Sequence, residues 1–562
     1  MSALLAGDDD HPSMRGKIDL IYIDPPFDSK ADYRTRITLP GTTIEQRPTV
    51  LEQFAYSDTW ADGTASYLAM IVPRLILMRE LLSESGAIFV HLDWHVGSYV
   101  KILMDEIFGV QRFVNEIVWW YYNKMQGNIK TFPRNHDSIL YYRKSEEFHF
   151  EAQKEKRDVP VRQIKRVWSK EKSAIVNAKD VDGRVIYVES THRTIDDVWR
   201  LSMLQPADTT ENLRFNTQKP ETLVRRIIES STVSGAIVAD FFVGSGTTAA
   251  VAEKLGRRWI ATDLGKPATM ITRKRLIDLD AKPFLYQAIG DYQVEQARST
   301  LGRSYRIGDL AKTVLTAFGA LPLPQADNPS GNLGRIAGGN TSTLVYADSP
   351  NRLTTFSTLK RAIQQRDTVM GGFDKVIVLG WNFSAGIAHD VTALNDPNLE
   401  VLVIPPDLLD RLKKKGGKAK DLAGQLRFSS LQYLQLGPAS RRIEGEQEVL
   451  RVRLANYVLL SPDAINLDEK NRAQLQAVMN EDPLALIEYW AIDPDYDGEI
   501  FRSVWQDYRG NTESDGDPLR VVKEASLSLP LMEGPRTVCV RAVDVFGFEA
   551  EVILNDVEVS ER

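Results

Sequence analysis

The stretch IDLIYIDPPFDSKADY, residues 18–33, decides how this chain is read. Ile18 to Ile23 is a short, β-branched, nearly continuous apolar run, the pattern of a strand buried on both faces. It ends on Asp24, and Pro25 and Pro26 then fix φ twice and remove two backbone donors. In α/β sheets, ligands sit outside the carboxyl ends of strands. A rigid turn there presents the Asp24 carboxylate, a backbone carbonyl and the Phe27 ring together. Two acceptors beside a flat face suit a planar group with an exocyclic amine, which describes a nucleobase. Stacking a base on an aromatic ring is worth roughly 1–3 kcal/mol. The plainer alternative is a Pro-Pro strand terminator in which Asp24 only caps the turn.

Outward from this stretch, residues 28–66 are polar and turn-rich and read as a loop. SYLAMIVPRLILMRELLS (66–83) reads as a helix interrupted or started at Pro73, and GAIFVHLDW (86–94) as a second buried strand. VGSYVKILMDEIFG (96–109) is an amphipathic helix closing on Gly109, and EIVWWYY (116–122) and HDSILYYRK (136–144) are aromatic strands. This alternation predicts an α/β layer with a mostly parallel sheet. From 145 to 216 the rhythm is lost and charge rises. TQKPETLVRRIIESS (217–231) then predicts a helix with Pro220 in its first turn.

AIVADFFVGSGTTAAVAEKLGRRWIATD (236–263) reads as strand, glycine turn, helix and strand. Gly244 and Gly246 permit a tight turn and close approach of backbone to ligand, with Ala249 in the third small position. The helix behind the turn offers unpaired N–H groups. Asp263 ends the next strand, where an acid can accept both hydroxyls of a ribose. Alone, the turn fits NAD, FAD or S-adenosylmethionine, or a glycine turn needed only for packing.

The length of 562 residues suggests three or four domains. A net charge of -7 excludes a dedicated DNA-coating protein, so nucleic-acid contact would need a local patch. The best candidate is KEKRDVPVRQIKRVWSKEK (154–172), whose bland reading is a solvated charged face. KKKGGKAK (413–420) reads as a basic loop. The single cysteine, Cys539, reads as a buried strand residue and excludes a disulfide framework or a Cys-based zinc site. His91, His95 and His136 have no metal-ligand spacing and read as core or surface histidines. Trp119 to Tyr122 read as core, with lining of a base pocket as the alternative. No run of about 18 apolar residues suggests a membrane span, and the acidic start is unlike a signal peptide, so a cytoplasmic protein is expected.

DPPF (24–27) and DFFVGSGTT (240–248) together resemble the amino-methyltransferases of DNA. The catalytic motif precedes the cofactor motif, which resembles the β-class order shared by the modification subunits of type III restriction systems. TQKPETLVRRII, GAIFVHLDW, MDEIFG and HDSILYYRKS also resemble that class. The likeness covers roughly residues 15–280. It implies a Rossmann-like S-adenosylmethionine-dependent methyltransferase sheet in a domain 1–284, with a target-recognition insert at 145–210. The resemblance implies a base flipped out of double-stranded DNA, with Asp24, Pro25, Pro26 and Phe27 as the catalytic motif. Asp24 and the Pro25 carbonyl would accept from the amine, Phe27 would stack, and the amine would attack the methyl group in line, without a metal. Lys219, Pro220, Asp240, Phe242, Gly244, Gly246, Thr247 and Asp263 would build the S-adenosylmethionine pocket. An aspartate in first position resembles adenine-N6 enzymes. Cytosine-N4 transfer is the near alternative. A catalytically silent DNA-binding module is another. An NAD-dependent oxidoreductase would leave DPPF and TQKP unexplained.

The sequence departs from that family in two places. Phe241 stands where proline is usual. Ahead of residue 18 the family carries a Gly-Asp-Asn strand and a helix; this chain opens on MSALLAG, which resembles the end of that helix, and GDD at 7–9 is a badly placed substitute. An upstream start, an exposed sheet edge and weakened cofactor binding are therefore expected. Residues 285–433 read as an α/β accessory domain around FDKVIVLGWNF and LEVLVIPPDLL, with RDTVMGG (366–372) and GALPLPQADNPSGNLG (319–334) as loops. Residues 434–562 read as an antiparallel β domain. Neither has a phosphate-type glycine loop or a helicase signature. Both are expected to serve as a platform for a restriction or helicase partner or for a second copy of the chain. The resemblance also places the protein in the prokaryotic cytoplasm, at the nucleoid.

Overall fold

Ile18–Ile23 forms a strand (β1) in which Ile18, Leu20, Ile21 and Ile23 are wholly buried. The computed structural model describes residues 1–7, 11–26, 35–46, 64–124, 130–208, 210–215, 217–287, 307–336, 342–349, 352–384, 387–404, 408, 428–430, 433–459, 465, 467–511 and 516–559. Phe27, Asp8, Asp9 and the basic stretch 413–420 lie outside the described residues.

Two compact units divide the chain: Met1–Ala31 with Tyr56–Phe284, and Asp32–Ala55 with Leu285–Arg562. The region read as a loop at 28–66 contains two strands, Thr35–Leu39 (β2) and Thr42–Gln46 (β3), paired as an antiparallel hairpin. Ile37, Leu39 and Ile44 bury their side chains, and that alternation drives the pairing. The hairpin belongs to the second unit.

In the first unit the remaining strands are Leu82–Leu92 (β4), Phe113–Trp120 (β5), His136–Arg143 (β6), Lys154–Ile164 (β7), Arg166–Ser169 (β8), Ala174–Asn177 (β9), Tyr187–Thr194 (β10), Val198–Arg200 (β11), Ile237–Asp240 (β12) and Arg258–Ala261 (β13). A seven-stranded sheet runs β11-β5-β6-β4-β1-β12-β13. β1 pairs in parallel with β4 and β12, and β13 with β12, while β6 is antiparallel to both its neighbours. Helices Thr64–Leu81 and Gly97–Phe108 share a core with one face, through Ile71, Leu75, Val100 and Met104. Helices Glu221–Ser231 and Thr247–Lys254 cover the other, through Val224, Ile227 and Val251. Helix Thr64–Leu81 runs through Pro73 without a break.

Within 145–210, residues 154–194 form a β-ribbon. β7 and β10 pair antiparallel, and β8 and β9 form a second hairpin between them. Nearly every residue of these strands is exposed, so the ribbon is held by its backbone ladder rather than by a core. Val198–Arg200 then returns to the edge of the main sheet beside β5. The aromatic run 119–122 splits by the strand period. Trp119 and Tyr121 are buried, whereas Trp120 and Tyr122 are exposed, so only half of it is core.

In the second unit, Leu321–Pro322 (β14), Leu333–Ile336 (β15), Thr343–Ala347 (β16), Lys375–Gly380 (β17), Leu399–Val403 (β18) and Ser429–Ser430 (β19) form a six-stranded sheet in chain order, parallel across β16–β17–β18. Part of RDTVMGG is helical rather than loop. Arg366–Thr368 ends the helix Phe356–Thr368, which a Thr355–Thr358 capping box starts and buried Leu359 and Ala362 anchor. The rest is antiparallel: Tyr433–Leu436 (β20), Ser440–Glu444 (β21), Gln447–Val458 (β22) and Glu524–Pro530 (β25) on one sheet, Ile487–Asp493 (β23), Trp505–Tyr508 (β24), Arg536–Asp544 (β26) and Glu549–Val557 (β27) on the other. Cys539 is buried in β26. Among the described residues no helix is long and apolar enough to cross a membrane, and no cluster of His, Cys, Asp and Glu could hold a metal ion.

Candidate active site

Asp24 follows β1, and Val243 to Gly246 follow the adjacent parallel β12, so both turns leave the same edge of the sheet. The Lys219 ammonium donates to Asp24 Oδ2. Asp24 Oδ1 is buried without a hydrogen-bond partner. A buried acceptor left unpaired costs about 1–3 kcal/mol, so it marks a place built for a donor. Pro25 is buried beside it. Pro26 is half-buried.

Behind Asp24 lies a polar network that the strand pattern alone does not display. β1 and β4 run in register with Ile23 opposite Val90, which brings His91 level with Asp24. His91 is fully buried, with Nδ1 4.0 Å from Asp24 Oδ1. The Tyr22 hydroxyl lies 2.9 Å from His91 Nδ1, and Asp137 Oδ2 lies 3.2 Å from His91 Nε2. The Tyr121 hydroxyl donates to Asp137 Oδ1 at 3.2 Å. Burial, with Asp24, Asp240 and Asp137 nearby, pushes the Tyr22 hydroxyl well above its ordinary value, so it stays a donor. Burial raises Asp137, but hydrogen bonds from His91 and Tyr121 and the His91 and Lys219 charges outweigh it, and its carboxyl sits below the usual range. An ionised Asp137 only accepts, so His91 Nε2 carries the hydrogen between them. His91 was set aside as core in the sequence reading. Aligning the carboxyl ends of the two parallel strands is the signal that finds it. His95 instead pairs with Asp93 and packs its ring 3.6 Å from that of Trp94. His136 opens β6.

The glycine turn has the left-handed geometry its residues allow: φ is +53° at Gly244 and +78° at Gly246. A Cβ on Gly246 would lie 2.9 Å from Thr272 Oγ1 and 3.1 Å from Thr272 Cα. A Cβ on Gly244 would lie 3.3 Å from the Phe215 ring, so that ring lies over the turn. Asp263 accepts from the Gly244 N–H at 2.9 Å through Oδ2 and from the Gly265 N–H at 2.8 Å through Oδ1.

Two of the expected pocket residues, Asp240 and Thr247, also build the turn. Asp240 is buried, accepting from the Phe242 N–H at 3.0 Å and the Thr248 hydroxyl at 2.6 Å. Burial pushes its carboxyl up to about 7 against the lowering effect of those two bonds. Thr247 donates to the Lys219 carbonyl at 3.2 Å and accepts from Arg275 at 3.0 Å, which ties the TQKP segment to the turn. Phe242 is half-buried against the core of the sheet. Pro220 is the N-cap of its helix rather than a first-turn residue, and its carbonyl accepts from the Leu223 N–H at 3.1 Å.

Residues 18–274 match the family model described as DNA methylase. The chain is similar to the Mod subunit of the type III restriction-modification enzyme EcoP15I of Escherichia coli, 31% identical over 142 residues that make up 23% of this chain and 21% of that protein. It is also similar to the type II methyltransferase M.EcaI of Enterobacter cloacae, 24% identical over 314 residues, 46% of this chain and 64% of that one. Among solved structures, the M1.HpyAVI–SAM complex aligns with 46% of this chain and 89% of that chain at 20% identity and a TM-score of 0.27. The alignments thus span from about a fifth to under two-thirds of the two curated relatives.

Proposed function

We propose that the chain transfers a methyl group from S-adenosylmethionine to the exocyclic N6 amine of adenine in double-stranded DNA. The observation that carries this is the buried, unpartnered Oδ1 of Asp24 at the carboxyl end of β1, one strand from the glycine turn. The residues present fit the cofactor: a turn whose glycine Cβ positions would be filled, a Phe ring over it, and an acid at the end of the neighbouring strand. When bound, S-adenosylmethionine supplies an electrophilic methyl group. The chain's own residues do the rest. Asp24 Oδ1 and the Pro25 carbonyl accept from the flipped amine and keep its lone pair on nitrogen, while Phe27 stacks on the base. Lys219 holds the other carboxylate oxygen and so fixes the direction in which Oδ1 points. His91, Asp137 and the two tyrosines fix the floor beneath it. Positioning of this kind accounts for most of the rate in such a transfer.

The ribbon at 154–194 supplies DNA contact in this reading. The major groove admits a two-stranded β-ribbon, and this one exposes lysines and arginines. Asp24 in first motif position favours adenine. Cytosine N4 offers the same amine to the same acceptors and is the second reading. Relatives named as Mod subunits of type III restriction-modification enzymes support a further subunit of a restriction system as the partner. Work on nucleoid DNA would place it in the cytoplasm.

The test is transfer of labelled methyl from S-adenosylmethionine to unmethylated DNA, followed by digestion and identification of the labelled base. Label on adenine that disappears with Asp24→Ala is the expected result. Label on cytosine would move the substrate and keep the mechanism. No label, with DNA still bound, would leave a silent DNA-binding module.

A further inference from the structure

Three large rings stand exposed where the main sheet ends beside Asp24. Trp94 is 52% exposed, Trp120 41% and Tyr122 49%. β5 is antiparallel to β6, and β6 to β4, so β5 runs with β4 and β1 and their carboxyl ends share one edge. The strand period puts Trp120 and Tyr122 on the face opposite the buried Trp119 and Tyr121. Leu92 and Val118 both pair with Ser138, so Trp94 and Trp120, each two residues further on, leave the sheet at the same level. Trp94 follows the strand next to that of Asp24, and Trp120 ends one three strands away, roughly 5 and 14 Å across the sheet.

Each ring carries a cation. The Arg134 guanidinium lies 3.8 Å from the centre of the Trp94 ring. Arg200, the register partner of Trp120, lies 5.2 Å from the centre of that ring and 5.1 Å from that of Tyr122. The backbone on either side of Tyr122 is braced. The Tyr121 N–H donates to the Asn135 carbonyl at 3.0 Å. The Asn123 side chain donates to the Met203 carbonyl at 2.8 Å and accepts from the Met203 N–H at 2.9 Å. Two carboxylates of the same segments are engaged elsewhere. Asp93 accepts from the His95 N–H at 2.9 Å, and Asp137 Oδ2 lies 3.2 Å from His91 Nε2.

We propose that this edge is a binding site for unpaired DNA nucleotides, with Trp94, Trp120 and Tyr122 stacking on bases and Arg134 and Arg200 meeting phosphates. Single exposed apolar side chains are ordinary, but three aromatic rings interleaved with guanidinium groups on one edge have the make-up of a single-strand site. In a duplex each base face is covered by its neighbours, so only an unpaired nucleotide offers a face to these rings. The source of that nucleotide rests on the methyltransferase reading. Extruding a base at Asp24 leaves the nucleotides beside it unpaired or unstacked, on the edge that carries the rings. Stacking them offsets part of the cost of opening the duplex.

The test uses the full chain and an oligothymidylate of about 12 nucleotides, within the roughly 4–16 that single-strand sites span. One thymine is replaced by 5-iodouracil, which crosslinks on irradiation to an aromatic side chain stacked on it. Crosslinks mapped to Trp94, Trp120 or Tyr122 are expected, and at least about tenfold fewer from a paired duplex of the same length. Crosslinks confined to other residues overturn the proposal, as does equal crosslinking from the duplex. Affinity of the same oligonucleotide is measured for Trp94→Ala, Trp120→Ala and Trp120→Phe, with S-adenosylmethionine affinity as the check on folding. Each alanine variant should weaken the oligonucleotide at least about fivefold, the low end of one lost base stack, with cofactor affinity within about twofold. Trp120→Phe keeps a ring and should stay within about twofold of the unaltered chain. Unchanged affinity in both alanine variants overturns the proposal, and so does a phenylalanine variant as weak as the alanine one. Crosslinks at these rings in a chain that transfers no methyl group would support the site and count against the activity alone.

Discussion

Lys219 donates its ammonium to one oxygen of Asp24 and leaves the other buried with no hydrogen bond, across a sequence separation of 195 residues. Both side chains are more than four-fifths buried, at 12% and 15% exposure. Removing one partner of such a pair leaves an uncompensated charge, while removing both charges can be close to neutral. Lys219→Met is therefore expected to lower stability at pH 7 by about 3 kcal/mol, and Asp24→Asn in that background to restore most of it. Urea unfolding of the two single variants and the double checks this; additive losses would contradict the coupling. Asp24→Ala should also lower methyl transfer at least about a hundredfold, the scale of losing one positioned electrostatic partner.

The pair shows how far the residues alone carry the reading. Asp24 and the glycine turn were legible because strand ends, prolines and glycines have local signatures. The Lys219 ion pair and the His91 network were not, since they depend on which strands lie side by side. The hairpin at 35–46 was missed for a related reason. TRITLPGTTIEQ (35–46) carries two short alternating runs around a Pro-Gly turn, but polar residues outnumber its three anchors, Ile37, Leu39 and Ile44, and its core lies more than 400 residues away in sequence. The ribbon at 154–194 read as charge without rhythm because a two-stranded arm with no buried face has no hydrophobic period.

Gly246 tests the cofactor turn. Its φ of +78° is strained for any side chain, and a Cβ there would crowd the Thr272 backbone at 3.1 Å. Strain and overpacking of this kind cost roughly 1–3 kcal/mol each, so Gly246→Ala should lose about 2–4 kcal/mol of stability together with most of the S-adenosylmethionine affinity. Gly244→Ala meets only the Phe215 ring, which can move, and should lose less stability. Thermal unfolding and a cofactor titration on both variants compare them. Equal losses would mean that the Thr272 contact is not the limit.

Asp240 predicts a pH dependence. Burial raises its carboxyl to about 7 in the fold, against about 3.9 when unfolded. The unfolded chain therefore gives up the proton first as pH rises. The stability this group contributes is fully present below about pH 4, is lost progressively toward pH 7, and is absent above it. Asp240→Asn has no such proton to lose and can still accept from the Phe242 N–H. Relative to the unaltered chain, it should gain on the order of 4 kcal/mol between pH 4 and pH 8. Melting curves of both proteins across that range measure the difference. A constant offset would mean that the carboxyl titrates normally in the fold.

The ribbon makes a prediction about salt. Lys156, Arg162, Lys165 and Arg166 are exposed on β7, β8 and the link between them, and Arg162 lies 4.4 Å over the Tyr187 ring. If the arm follows a groove, each of these cations that meets a phosphate releases a counterion, and the logarithm of affinity falls with the logarithm of salt by about 0.9 per contact. Lys165→Ala and Arg166→Ala together should flatten that slope by about 2 and weaken binding to every duplex alike. Trp168, 63% exposed in β8, lies on the inner hairpin, and Trp168→Ala should shift which sequences are methylated more than it shifts the slope. Arg442→Ala, an exposed cation on β21, should leave the slope unchanged. Duplex binding between 50 and 200 mM salt separates these, a range over which a protein with 6–10 phosphate contacts loses roughly 10³–10⁵ in affinity. An unchanged slope in the ribbon variants would take the arm off the DNA and leave the duplex to be held at the sheet edge around Asp24.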